Sequence, residues 1–215
     1  MAIKNVALGW MALMLVAGGI CSAAEVSFHL STADCKLFAT VLKNKDQKVQ
    51  LKFHQLSGTL TAGEKYNANV SVDLAGLDSG NPARDNNIRT AFFEIGKHPG
   101  YQNAKFEMEK IDGIPATLET GINYDAKAKG TLTIHGSSVI FEGPLVVKKG
   151  KKGSLIVQFK EPWIVNIANV AMESMLKPLK VVCPTHDSVE LNVEVGGELL
   201  FVPDVIKKSK KKIRA

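Results

Sequence analysis

Cysteine, aromatic residues and long apolar runs are all scarce in this chain. Three cysteines among 215 residues, with no Cys-x-x-Cys pair, exclude a disulfide-stapled miniprotein and a dithiol redox motif. The longest uncharged apolar stretch, Val6 to Ile20, falls short of the roughly 18 residues that a membrane-spanning helix needs, so a multi-span protein is excluded. The sequence also lacks a Gly-x-Ser-x-Gly elbow, a His-Glu-x-x-His pair and a phosphate-binding loop. An enzyme that gathers scattered Asp, Glu or His side chains by folding stays open.

An excess of one charge is missing too, once the ends are set aside. Of the 27 basic residues, Lys4 and the tail residues Lys207, Lys208, Lys210, Lys211, Lys212 and Arg214 lie outside residues 25–206. That leaves 20 basic against 21 acidic side chains in the body. A nearly neutral body has no electrostatic footprint for nucleic acid, and none is expected as a partner. With 45% hydrophobic and 22% charged residues, the composition is that of a folded domain able to bury a core.

The N-terminus reads as a leader. Lys4 precedes the short apolar stretch, and Ser22 and Ala24 occupy −3 and −1 of a cut before Glu25. Residues 1–24 are therefore expected to be a secretory signal peptide and the protein to be periplasmic. A retained anchor is the alternative. Lipid attachment at Cys21 is disfavoured by Ile20 before it and by Gly18 where Leu is usual. Removing the leader leaves Cys35 and Cys183, an even pair that predicts a disulfide worth on the order of 5 kcal/mol in the chain-entropy model. Two separate buried thiols are the alternative.

What is abundant is alternation. Val49, Leu51 and Phe53 alternate with polar neighbours, as do Val70, Val72 and Leu74, then Phe106 and Met108. Leu132 and Ile134, then Leu155, Val157 and Phe159, then Leu191, Val193 and Val195 continue the pattern. Each run predicts a strand with one dry face. Gly-containing turn signals separate them, among them Ser57-Gly58, Asp112-Gly113, His135-Gly136 and Gly196-Gly197. Strands at this spacing predict one antiparallel sandwich or barrel over residues 25–206. Asn81-Pro82 starts a helix that carries Ile88, Phe92 and Ile95 on one face and ends at Gly96. A second helix is predicted over Ile164 to Leu176. Closing about eight such strands gives a mainly β, lipocalin-like barrel with one or two short helices, its apolar interior suited to a hydrocarbon.

The stretch from Leu74 to Pro99 carries more than periodicity. Arg84, Asp85, Arg89, Phe92, Phe93, His98 and Pro99 fall in the order that the YceI-like family shows along its helix. Ser57-Gly58-Thr59-Leu60 and Gly130-Thr-Leu-Thr-Ile-His-Gly136 fit that family's strands. Over roughly residues 48–200 the chain resembles this family of exported, lipid-binding barrels. It departs in having Asn87 where the family often has His, and in the segment from Trp163 to Asn169 onward. The resemblance implies a polyisoprenoid or other long-chain lipid held inside the barrel, with no cofactor and no catalysis.

On that reading Phe53, Val72, Leu74, Phe106, Ile134 and Val157 form the cavity wall, and Ile88 and Phe92 plug or line its entrance. A solid core with no cavity is the alternative. Phe93, adjacent to Phe92, is expected to point elsewhere. Arg84 and Arg89 either meet a ligand headgroup or, with Asp85, form a helix-stabilising ion pair and cap. His98 and His135 are expected to fix turns. Cys183, His186 and Asp187 lack the second ligand pair of a structural zinc site, so no metal is expected. The basic tail 207–215 is a solvated end, or one that touches an anionic membrane surface. An envelope enzyme on an isoprenoid or amide-containing small molecule, and a non-catalytic interaction scaffold, remain as other functions.

Overall fold

The computed structural model describes residues 25–184, 188 and 190–204. The leader, the basic tail and the residues His186 and Asp187 lie outside the described residues. The strands are β1 (Val26–Leu30), β2 (Lys36–Lys43), β3 (Gln47–Phe53), β4 (Leu56–Ala62), β5 (Tyr66–Asp73) and β6 (Leu77–Asp78). They continue with β7 (Asn103–Asp112), β8 (Asn123–Ile134), β9 (Ser137–Lys149), β10 (Leu155–Phe159), β11 (Trp163–Asn166) and β12 (Asn192–Pro203).

Several of these are halves of one bent strand. β1 and β2 pair in turn with the two ends of β12 (Leu30 opposite Phe201, Ala39 opposite Val195), while β4 and β3 pair back on β1 and β2. β10 and β11 likewise share one side of β12. Counting each bent strand once, the order β1/β2, β3/β4, β5, β7, β8, β9, β10/β11, β12 closes on itself as an antiparallel barrel of eight strands. Closure removes the unpaired edges that would otherwise invite aggregation.

The alternating residues point as the sequence predicts. β3 reads exposed, exposed, buried, exposed, buried, exposed, buried, with Val49, Leu51 and Phe53 inward. The β8–β9 hairpin turns on His135 (φ 51°) and Gly136 (φ 75°), the two positive φ values that match a tight turn to the twist of its strands.

The chain departs from the sequence expectation in three places. The predicted helix over 164–176 is instead the strand β11, a turn of 3-10 helix at Ile167–Val170, and a left-handed Ala171 (φ 56°). The helix there is α2 (Leu176–Val182), seven residues long, with Pro178 in its first turn where no intrahelical N–H is needed. The first helix stops early as α-helix: α1 (Pro82–Asn87) passes into a π turn, Ile88–Phe92. Finally, Cys35 and Cys183 are not bonded to each other. The Cys35 sulfur accepts from the Leu200 amide (3.3 Å) beside β12, and the Cys183 sulfur accepts from Asn87 (3.1 Å) at the end of α2. Parity of cysteines counted the thiols but carried no information about their separate sites.

Candidate functional site

The inward side chains leave a cavity of about 290 Å³ along the barrel, near the low end of the roughly 300–1,000 Å³ of small-molecule pockets. Phe53, Val72, Leu74, Phe106, Ile134 and Val157 all line it, and so do Ile88 and Phe92. Among the described residues, the carboxylate or ammonium residues at its wall are Lys105 and Glu190, and both are exposed. The interior is therefore hydrocarbon throughout. A group placed there gains from leaving water and finds no charge to hold it.

At one end the loop 113–122 packs against the barrel, with Ile114 at the cavity wall. Leu118 is buried, the Tyr66 hydroxyl donates to the Pro115 carbonyl (3.1 Å), and the Glu119 amide donates to the Tyr124 hydroxyl (3.1 Å). Burial pushes the Tyr66 phenol above its ordinary pKa, so it stays a donor.

The other end carries a lid of two short helical segments. Asn81 caps α1 through its side chain to the Arg84 amide (3.1 Å). Asp85, only 5% exposed, accepts from the Ser79 amide (2.9 Å) and hydroxyl (2.5 Å), which anchors α1 to the preceding loop. In the π turn the Phe93 amide reaches the Ile88 carbonyl (2.9 Å), one residue further back than in an α-helix. That extra residue per turn brings Phe92 and Phe93 to the cavity together, their rings edge-to-face at 5.1 Å. This corrects the expectation, drawn from their adjacency, that Phe93 points elsewhere. α2 completes the lid with Leu176 and Leu179 against the cavity. Asn87 ties the two segments, donating to the Val182 carbonyl (3.4 Å) and to the Cys183 sulfur.

Neither Arg84 nor Arg89 lines the cavity. Arg89 donates to the Ala75 carbonyl (2.8 Å) and to the Asp85 carbonyl (3.2 Å), so its work is to hold the lid to the barrel rim. It bonds the backbone of Asp85, not its carboxylate, which corrects the expected ion pair.

Sequence reasoning missed the aromatic part of the wall. Trp163 on β11 meets Phe159 at 4.8 Å, Phe141 at 5.0 Å and Phe106 at 5.5 Å, ring centre to ring centre. The indole N–H donates to the Pro144 carbonyl (3.3 Å). Gly143 makes this possible, because a Cβ there would collide with the indole. The signal was the in-phase spacing of Phe141 on β9 and Phe159 on β10, which only the strand register converts into contact.

Beside the lid, Tyr101 lies between His98 (4.5 Å) and His135 (3.9 Å), ring centre to ring centre. Desolvation lowers the pKa of His135, partly opposed by the nearby Glu94 carboxylate. These rings pack beside the β8–β9 turn by ring contact, not through the turn-fixing hydrogen bonds expected of the histidines, and His135 Nε2 has no hydrogen-bond partner among the described residues. Among the described residues no group of three His, Cys, Asp or Glu side chains is placed to hold a metal ion.

Two solved structures share this fold. A polyisoprenoid binding domain from Saccharophagus degradans, implicated in plant cell wall breakdown, superposes with a TM-score of 0.72 at 19% identity, over 83% of this chain and 99% of that one. BcnA of Burkholderia cenocepacia superposes at 0.59 with 16% identity, over 80% and 98%. Both likenesses concern the fold. A riboflavin kinase of Mus musculus is 31% identical over 121 residues, which is 52% of this chain and 76% of that protein. The model of the YceI-like domain matches residues 23–196, nearly the whole barrel, and the chain belongs to the YceI-like domain family.

Proposed function

We propose that this protein binds a polyisoprenoid or a similar long-chain amphipathic lipid inside the barrel and shelters or carries it in the periplasm. The observation that carries this reading is the cavity, lined by apolar side chains, flanked by the helical lid and free of interior charge. Each buried CH₂ favours binding by about 0.8 kcal/mol. Ordering a flexible chain offsets much of that sum, so net affinity stays well below it. Phe53, Val72, Leu74, Ile88, Phe92, Phe106, Ile134 and Val157 are the proposed chain contacts. Family membership and the fold shared with a polyisoprenoid binding domain support the same class of ligand. The leader-like residues 1–24 support export, and the basic tail adds attraction to an anionic membrane surface.

Catalysis is no part of this proposal. The likeness to a riboflavin kinase suggests phosphoryl chemistry, which relies on charged groups around the phosphate. The cavity interior offers none.

Trp163 in the cavity wall supplies the test. Titration of the leader-free protein with a polyprenol should change Trp163 emission saturably. Ala128→Phe, which fills the cavity from a fully buried wall position, should abolish that change while the far-ultraviolet circular dichroism stays unaltered. Polyprenols and fatty acyl chains that all leave Trp163 emission and protein mass unchanged would overturn the proposal.

A further inference from the structure

We propose that the outer face of α2 is a membrane-docking surface, through which the lidded end of the barrel meets an anionic bilayer. The inference rests on the lipid-binding reading and says where cargo passes.

α2 has two faces. Leu176 and Leu179 line the cavity, so one face of the helix is part of the wall. The exposed side carries Lys177, Lys180 and Val181, spaced i, i+3, i+4 and hence grouped together, with Lys180 at the edge nearest Leu176. Val181 is 80% exposed and Val182 45% exposed, although burial favours both side chains. An exposed valine beside two lysines is the arrangement of an interfacial helix, in which apolar side chains enter the headgroup layer and cations meet phosphates. Neither lysine pairs with a carboxylate among the described residues, and α2 itself has none. Glu173, in the turn before the helix, is the nearest acidic residue in sequence. Arg84 adds a cation across the lid: it precedes Asn87 by three residues on α1, and Asn87 is the residue bonded to the end of α2.

Charge selects the partner. The barrel body is nearly neutral, so an attraction to phosphate must come from a local group of cations, and this one sits on the lid. A bilayer also accounts for the valines, which a soluble anion would leave exposed. Docking by this face would bring the cavity entrance, where exposed Glu190 reaches the wall, to the membrane.

The test is vesicle flotation of the leader-free protein, basic tail included, without added cargo. Vesicles are phosphatidylcholine alone, or equal parts of phosphatidylcholine and phosphatidylglycerol. Lys177→Glu/Lys180→Glu should weaken partitioning to the anionic vesicles by about 30-fold or more, since losing two cations near such a surface accounts for about 30-fold and the two new carboxylates add repulsion. Val181→Asp should weaken it on its own. The same charge reversal at Lys151 and Lys152, between β9 and β10 at the other end of the barrel, should leave it within about twofold. Equal losses at both ends, or no loss at α2 because the tail does all the binding, would overturn the proposal. So would a concentration-dependent dimer that Val181→Asp abolishes, which would assign the face to a second copy. Flotation reads docking without reference to the cavity, so its failure leaves the Trp163 titration to judge the lipid-binding reading separately.

Discussion

His135 Nε2 lies 3.5 Å from Glu94 Oε2, with the imidazole side chain only 8% exposed and no hydrogen-bond partner for that nitrogen. The two residues also share a left-handed backbone, φ 51° at His135 and 52° at Glu94, so both ends of the contact are held in a conformation uncommon outside glycine. At 3.5 Å the carboxylate is a neighbouring charge and not a bonded acceptor. The contact joins the β8–β9 turn to the residue that follows Phe93 in the lid.

Burial of His135, only partly offset by this carboxylate, makes the fold acid-labile in a defined window. Desolvation holds His135 below its ordinary pKa of 6.5, so the unfolded chain takes up a proton before the folded one does. Stability is complete above that pH and falls as pH drops through it toward the folded value. The Glu94 carboxyl is held below its ordinary 4.5, chiefly by the hydrogen bond from Lys97, and its contribution is lost separately as pH falls below that value. His135→Asn, which tolerates a left-handed backbone, should flatten urea-unfolding midpoints between pH 7 and about 5. An unchanged slope in that variant would exclude His135 as the source.

Asp85 is the buried charge on which the lid is built. Asp85→Ala leaves the Ser79 amide and hydroxyl without their acceptor and should cost about 1–3 kcal/mol in chemical denaturation. Asp85→Asn retains a carbonyl oxygen and should cost less. Equal losses in the two variants would contradict the acceptor role.

Gly143 is predicted to tolerate no side chain. Gly143→Ala pushes the indole of Trp163 out of its place among Phe106, Phe141 and Phe159, an overpacking cost of roughly 1–3 kcal/mol. Trp163 emission should move with it. Unaltered emission and stability would mean that the ring packing is looser than described.

The thiols are predicted to be indifferent to reductant. Melting temperature should be the same with and without dithiothreitol, and an alkylating agent should label Cys35 and Cys183 after denaturation without reduction. Burial raises the Cys35 pKa, so that residue should react slowly in the native state.

The legible part of this molecule is the part governed by period two. Val49, Leu51 and Phe53 show their inward face in sequence because the opposite face of β3 is wet. β2 escaped notice because its residues from Leu37 to Lys43 are half-buried or buried on both faces, which erases the alternation. Periodicity showed which strand residues point inward and the family resemblance implied that they enclose a cavity, but the π turn that places Phe93 beside Phe92 has no signature in apolar spacing. α2 was obscured by Pro178, which reads as a helix breaker unless the helix is known to begin just before it. Trp163 reaches its aromatic neighbours through strand register, and register is set by pairing across the barrel.

The most direct measurement is native mass spectrometry of the protein purified from its own host, followed by organic extraction of the same sample. The account predicts an extra mass on the folded protein that is recovered in the extract as a polyprenyl or other long-chain lipid. A bare protein mass, together with failure of added polyprenols to bind, would contradict it.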